Sequence, residues 1–147
     1  MTQRDIRYQA AVVVDDQLLL LRCVTHGGER FWVLPGGGRE PGETEAECVA
    51  REVLEEARVD VAVGALLYEV PADPPDGTYT RWRTYLCRLT GGEALPGGKE
   101  GDADLVAVRW LSIHDPSTWD SELHEDLFLG PQLHRIRRAL AAPELSR

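Results

Sequence analysis

Apolar residues near the start of the chain follow the pattern of a two-stranded hairpin. Residues 8–14 are apolar and β-branched, Asp15 and Asp16 supply a turn, and residues 17–24 are again apolar. Similar runs of strand length follow, and they predict further strands at residues 31–34, 59–70, 79–89 and 105–111.

The apolar positions change to a helical spacing between residues 44 and 57. Thr44 followed by Glu47 is a capping-box pair, which predicts that the helix begins there. A second amphipathic helix is predicted at residues 131–142, and a loop without regular structure at residues 35–43. Several strands with an early and a late helix favour an α/β fold, with helices on both faces of a mixed β-sheet as an α/β/α sandwich.

Length and composition indicate one domain that spans residues 1–147. The sequence has no apolar run long enough for a membrane span, and residues 1–7 lack the apolar stretch of a secretory signal. We therefore expect a cytoplasmic protein. In that compartment Cys23, Cys48 and Cys87 are predicted to be buried thiols rather than disulfides or zinc ligands.

The formal net charge of −9 argues against a nucleic-acid partner, because the phosphate backbone would be repelled. The same charge would repel a small molecule that carries phosphate groups. Clustered carboxylates that hold divalent cations would offset this repulsion.

Three carboxylates share one face of the first predicted helix. Glu52, Glu55 and Glu56 are spaced i, i+3 and i+4, and they border the apolar stripe. A hard divalent cation with oxygen ligands would relieve their mutual repulsion, whereas the alternative is a solvated acidic face. The glycine run at residues 36–38, just before the helix, favours the cation site, because glycine lets backbone groups approach a ligand closely.

The loop and the helix together resemble the Nudix box, whose pattern is G-x5-E-x7-R-E-U-x-E-E-x-G-U with U aliphatic. In this chain the pattern begins at Gly37, continues at Glu43 and ends in the run from Arg51 to Val59. Arg58 stands where the family has its second glycine. We therefore expect either a strained left-handed residue at Arg58 or a different end to the helix.

The resemblance to the Nudix hydrolase family implies an α/β/α sandwich and hydrolysis of a diphosphate linkage in a nucleoside diphosphate derivative, with Mg²⁺ or Mn²⁺ as the cofactor. Candidate substrates are ADP-ribose, an ADP-sugar and a nucleoside di- or triphosphate. The catalytic residues that it implies are Arg51, Glu52, Glu55 and Glu56. The metal ligands that it implies are Glu52, Glu55, Glu56 and the carbonyl of Gly36. Structural support is assigned to Gly37, Gly38 and Glu43, with Arg51 and Glu43 bracing the loop and orienting Glu52.

Charged residues outside the box are further candidates. Arg22 ends one predicted strand and Arg30 precedes another, where either cation would meet a substrate phosphate, with a solvated strand-edge charge as the alternative. Related enzymes place an additional acidic ligand or base in the region of residues 100–104. Glu100 is therefore predicted as a further metal ligand ahead of Asp102 and Asp104, with a charged surface loop as the alternative.

Substrate choice is expected to depend on residues outside the box, chiefly the segment 71–85 and the loop 99–104. Tyr79, Trp82 and Tyr85 offer stacking surfaces for a base, although rings in strands are more often part of the core. Pro74 and Pro75 lie about where the ADP-ribose branch of the family has a proline.

The expected partner is a small nucleotide-like molecule, with no nucleic acid and no membrane, and a homodimer is left open. The alternative to an enzyme is a catalytically silent nucleotide-binding or sensor domain of the same fold. Such domains usually lose box carboxylates. All three box glutamates are present here, which favours the enzyme.

Overall fold

This computed structural model describes residues 5–73 and 77–142, and these residues contain eight strands and three α-helices. The strands are β1 (Ile6–Val14), β2 (Gln17–Val24), β3 (Arg30–Val33), β4 (Gly36–Gly37), β5 (Asp60–Pro71), β6 (Arg81–Gly91), β7 (Lys99–Glu100) and β8 (Ala103–Ser112). The helices are α1 (Glu45–Ala57), α2 (Ser121–Glu125) and α3 (Leu129–Leu140), with a 3₁₀ turn at Pro116–Thr118.

The strands form one mixed sheet in the order β5-β6-β1-β2-β8-β7, with β3 paired to β2 and β4 paired to β1. β1 and β6 run parallel, and the other pairs are antiparallel. β1 and β2 are hydrogen-bonded only near their shared turn, where Val13 lies opposite Leu18. Beyond that point the two strands diverge, and β4 pairs with β1 instead.

Helices cover both faces of the sheet, because the central strands alternate apolar side chains between two cores. The core under α1 includes Ala10, Val12, Leu19, Leu21, Val49, Val53 and Ala57. The core under α2 and α3 includes Ala11, Leu18, Leu20, Leu123, Leu133 and Ile136. The α/β/α sandwich around a mixed sheet that the sequence predicts is confirmed.

The loop before α1 corrects one prediction, because residues 35–43 do contain regular structure. Gly36 and Gly37 form β4, which lies opposite Gln9 and Tyr8 of β1. A Cβ on Gly36 would lie 2.5 Å from the carbonyl oxygen of Tyr8, so this approach to β1 requires glycine. The sequence did not indicate this strand, since its pairing partner lies far away in the chain.

A second short strand lies within residues 99–104, which the sequence predicts to be a loop. Lys99 and Glu100 form β7, which pairs with the first residues of β8. The other predicted strands and the final helix differ from the observed ones by at most two residues at either end. Such shifts are expected, because local patterns define the ends of elements poorly.

Helix α1 begins as the capping box predicts. The hydroxyl of Thr44 accepts a hydrogen bond from the Glu47 amide at 3.0 Å, and the Glu47 carboxylate accepts one from the Thr44 amide at 2.8 Å. The helix ends at Ala57, and Arg58 has φ 61° and ψ 27°. Of the two alternatives at Arg58, the structure therefore shows the left-handed residue, and its amide donates to the carbonyl of Leu54 at 3.1 Å.

The apolar stripe predicted for α1 is wrong at two positions, Ala46 and Leu54, which are both exposed. Leu54 is 47% exposed, whereas the carboxylate-bearing Glu56 is only 3% exposed. Glu56 takes an interior position because its partners come from the loop before the helix and from β7, which the helix pattern does not contain.

Cys23, Cys48 and Cys87 are free and buried, as predicted. Within residues 5–73 and 77–142, none of the helices combines the length and the apolar character that crossing a bilayer needs.

The conformation of Arg58 predicts a stability difference between two substitutions that both remove its side chain. The free energy of unfolding of Arg58→Gly should exceed that of Arg58→Ala by about 1 kcal/mol, because only alanine retains the strain of a Cβ at positive φ. Urea unfolding of both variants measures the difference. Equal stability would mean that Arg58 is not held in the left-handed conformation.

Candidate active site

Three carboxylates from two distant parts of the chain meet beside the second half of α1. Glu52 and Glu56 come from the helix, and Glu100 comes from β7. One oxygen from each lies within 4.8 Å of the others. The helix contributes two of them because residues four apart occupy the same face. The third arrives only because β7 folds back along β8.

The glycine loop fits closely around the two helix carboxylates. The amide of Gly36 donates a hydrogen bond to Oε1 of Glu56 at 3.0 Å. A Cβ on Gly37 would lie 2.6 Å from the carboxyl carbon of Glu52. Glycine at these two positions therefore lets the loop backbone lie directly against the carboxylates.

Arg51 joins the loop to the helix, as the resemblance implies. Its Nε donates to Oε2 of Glu43 at 2.6 Å, and its Nη2 donates to Oε1 of the same carboxylate at 3.0 Å. Nη2 also donates to the carbonyl of Gly38 at 3.2 Å, and Nη1 donates to Oε1 of Glu52 at 2.8 Å. A single guanidinium thus fixes the loop and the Glu52 carboxylate in one arrangement.

The carboxylates of the cluster differ in the direction in which their pKa values are shifted. Burial raises the pKa of Glu56 far above its usual range, and the neighbouring Glu100 raises it further. Burial likewise raises the pKa of Glu52, although Arg51 opposes the shift. Burial also disfavours the charged form of Glu100, but Arg7 outweighs it and lowers the pKa of that carboxyl. Without a cation, the three carboxylates are therefore not all charged at neutral pH.

The donor set fits a hard divalent cation. All three side chains offer carboxylate oxygens, which Mg²⁺ and Mn²⁺ favour. Burial and neighbouring carboxylates raise the pKa values of Glu52 and Glu56, and a divalent ion bound among them would favour their charged forms. The contact that the structure shows at Gly36 is made by its amide, so ligation by its carbonyl stays a prediction.

Glu55 lies differently from the other two box glutamates. Its side chain is 58% exposed, and one of its oxygens accepts a hydrogen bond from Arg51 at 3.1 Å. It is not one of the three carboxylates that converge, so its role as a ligand also stays a prediction.

The predicted substrate cations lie on β2 and β3. Arg22 forms an ion pair with Glu122 of α2 at 2.6 Å, and its guanidinium lies 4.9 Å from the ring centre of Trp32. Arg30 is exposed at the start of β3. The structure shows no contact between either arginine and the carboxylate cluster, and their roles stay predictions.

The aromatic residues of the segment 71–85 lie in different surroundings. Trp82 is buried, with its ring edge-on to Phe128 at 6.4 Å. Tyr85 packs against the core under α1, and its hydroxyl donates to Glu45. Tyr79 is partly exposed. Pro74 and Pro75 lie outside the described residues.

Sequence reasoning missed one residue that contacts the cluster. Arg7 of β1 is 7% exposed and forms an ion pair with Glu100. Burial alone would lower the pKa of Arg7, but the charges of Glu100 and Glu56 raise it above its usual value. The available signal was a charged residue inside an otherwise apolar strand, which by itself does not identify a partner 93 residues away.

Comparison with known proteins agrees with this fold. The family model described as the NUDIX domain matches residues 6–129. The chain therefore belongs to the NUDIX family, and its relatives support an enzyme of the pyrophosphohydrolase class.

Two human relatives illustrate the range of the family. The chain is 36% identical over 132 residues to the 8-oxo-dGDP phosphatase NUDT18, a match that covers 88% of this chain and 39% of that protein. It is 32% identical over 103 residues to diphosphoinositol polyphosphate phosphohydrolase 3-alpha, covering 69% of this chain and 58% of the relative. The match thus spans well under two thirds of the length of either protein.

Solved structures show the same fold. An ADP-ribose pyrophosphatase from Streptococcus suis is 27% identical, with a TM-score of 0.68 over 97% of this chain and 95% of that one. A UDP-X diphosphatase has a TM-score of 0.70 at 21% identity, covers 96% of this chain and 64% of the other, and supports the fold alone.

The Arg51–Glu43 contact predicts a measurable coupling in stability. Arg51→Met should lower the free energy of unfolding by about 1–2 kcal/mol, because it removes charge-assisted hydrogen bonds to a mostly buried carboxylate. Glu43→Gln should cost much less in the Arg51→Met background than in the wild type. Urea unfolding of the two single variants and the double variant measures the coupling. Additive effects would contradict the bracing role.

Proposed function

We propose that this chain hydrolyses a diphosphate linkage in a nucleoside diphosphate derivative and depends on Mg²⁺ or Mn²⁺. The observation that carries the proposal is the convergence of Glu52, Glu56 and Glu100 against the glycine loop. A cluster of this kind attracts a divalent ion and, through it, an anionic substrate that the net charge of −9 would otherwise repel.

Glu52, Glu56 and Glu100 would hold the cation, and the resemblance adds Glu55 and the Gly36 carbonyl to this set. When bound, the ion supplies charge stabilisation for the diphosphate oxygens and lowers the pKa of water. Arg51 orients Glu52 through Nη1, and the Gly36 amide orients Glu56. Glu52 and Glu100 are the two candidates to accept the proton of the attacking water at a carboxylate oxygen.

The substrate class rests on what similar proteins are named for. Their names refer to 8-oxo-dGDP, diphosphoinositol polyphosphate and ADP-ribose, which all contain phosphoanhydride bonds. For this chain we infer a nucleoside diphosphate core, with ADP-ribose, an ADP-sugar and nucleoside di- or triphosphates as the candidates. Groups outside the box would distinguish among them, because the cation site treats all diphosphates alike.

A turnover screen tests the proposed function. Purified protein is assayed against these candidates with Mg²⁺, with Mn²⁺ and with EDTA, in ¹⁸O-water. The proposal expects cation-dependent release of a product that carries the label on phosphate, because the site offers carboxylates and a cation but no covalent nucleophile. Cation-independent turnover, or label on a sugar hydroxyl alone, would contradict it.

Glu56→Gln is expected to lower kcat by at least about 100-fold, because it removes a charged group from the cluster that stabilises the transition state. The matched control is Glu93→Gln, which removes one negative charge at an exposed position outside the cluster and should leave kcat within about twofold. Steady-state kinetics at saturating Mg²⁺ measure both variants. Circular dichroism verifies that Glu56→Gln is folded, and a folded variant with wild-type kcat would contradict the assignment.

A further inference from the structure

Arg7 is the buried cation next to the carboxylate cluster. Its Nη1 forms the ion pair with Glu100, its Nη2 donates to the carbonyl of Leu34 at 2.9 Å, and its Nε donates to Oε1 of Gln9 at 3.0 Å. Each of its three nitrogens therefore has a different partner, so the plane of the guanidinium is fixed.

A buried polar network keeps the Gln9 partner in the correct orientation. Nε2 of Gln9 donates to the hydroxyl of Thr84 at 3.0 Å and to Oε1 of Gln132 at 2.6 Å. The Tyr68 hydroxyl donates to the same Gln132 oxygen at 2.8 Å. Because the nitrogen of Gln9 is engaged there, its oxygen faces Arg7. The network extends from β5, β6 and α3 to Arg7, and its amide groups already have partners within the protein.

Glu100 is the carboxylate of the cluster that most needs such a partner. It lies on the two-residue strand β7, next to a turn, and its side chain is 20% exposed. Two other carboxylates lie within 4.8 Å and oppose the approach of a third negative charge. An opposite charge on the rigid strand β1 offsets this repulsion.

We propose that Arg7 is a positioning residue that holds the Glu100 carboxylate inside the cluster, so that the cation site is assembled before the cation arrives. Arg7 acts through Glu100 and does not itself bind the ion. The inference rests on the proposed function, since it assumes that the cluster binds a divalent cation.

A positioning role and a purely electrostatic role predict opposite changes in cation affinity. If Arg7 contributed only its charge, its removal would make the site more negative and tighten cation binding. If it holds Glu100 in place, its removal lets one ligand leave the cluster and weakens binding. Changes to residues that orient metal ligands typically cost about 10- to 100-fold in affinity or activity.

Mn²⁺ binding without substrate, measured by electron paramagnetic resonance of free Mn²⁺, tests the inference on the full chain. Arg7→Met should raise the Mn²⁺ dissociation constant by about 10-fold. Arg7→Lys should recover part of that loss, because lysine keeps the charge that attracts Glu100. The control Arg81→Met removes an arginine whose partner, Glu69, lies outside the cluster, and it should change the constant by less than about twofold.

A double-mutant cycle identifies Glu100 as the residue through which Arg7 acts. Arg7→Met should weaken Mn²⁺ binding by less than about twofold in a Glu100→Gln background, since the carboxylate that Arg7 holds is already absent. In turnover assays Arg7→Met should lower kcat by about 10-fold and change KM by less than about twofold.

The possible outcomes separate the two proposals. A wild type that binds no Mn²⁺ overturns the proposed function itself. A wild type that binds Mn²⁺, with Arg7→Met binding it equally or more tightly, overturns the role of Arg7 alone. The same conclusion follows if Arg7→Lys is no better than Arg7→Met, or if the loss persists in the Glu100→Gln background. If Arg7→Met does not fold, Arg7→Lys replaces it in the wild-type and Glu100→Gln backgrounds. Arg7→Lys should then weaken Mn²⁺ binding in the first background but not in the second, and any other result overturns the role of Arg7.

Discussion

Backbone atoms of Gly36 and Gly37 occupy a gap that admits no side chain on either side. A Cβ on Gly36 would collide with the Tyr8 carbonyl of β1, and one on Gly37 would collide with the Glu52 carboxylate of α1. The close approach of the loop to β1 therefore requires glycine at position 36, and a side chain at position 37 would displace the Glu52 carboxylate. This contact determines how far α1 lies from β1, and it places the Gly36 amide at the carboxylate of Glu56. The divergence of β1 and β2 provides the gap that the loop enters.

Two arginines contact the carboxylate cluster, Arg51 at Glu52 and Arg7 at Glu100. Arg51 is partly buried on α1 itself and reaches the loop through Glu43. Arg7 is buried on β1 and reaches β7 through Glu100. The two arginines differ in where their partners lie in the sequence. Arg51 contacts residues within one local segment, whereas Arg7 on β1 contacts Glu100 of β7 and is connected through Gln9 to Gln132 of α3. The interior of the sheet is thus part of the carboxylate site.

Proteins similar to this chain are named for chemically different molecules, among them 8-oxo-dGDP and ADP-ribose. Family membership accordingly indicates the chemistry of a diphosphate site, and it leaves the rest of the substrate undetermined. In this chain the aromatic residues of the segment 71–85 are not equivalent. Trp82 is buried against Phe128, and Tyr85 is hydrogen-bonded to Glu45, so the rings available for contact with a base are fewer than the sequence suggests.

The amino-acid sequence by itself determined the features that depend on neighbours in the chain. The capping box at Thr44, the shared face of Glu52 and Glu56 and the Arg51–Glu43 pair all involve residues at most eight positions apart, and the structure shows each of them. Several predicted strands with an early and a late helix likewise indicated a sheet with helices on both faces, and the two cores confirm it. Tertiary structure decided the rest. Burial of Glu56, exposure of Leu54, the β4 strand and the pairing of Arg7 with Glu100 depend on segments that are distant in sequence and close in space. A local pattern carries no information about which distant segment will pack against it, so these contacts appear only when the chain is folded.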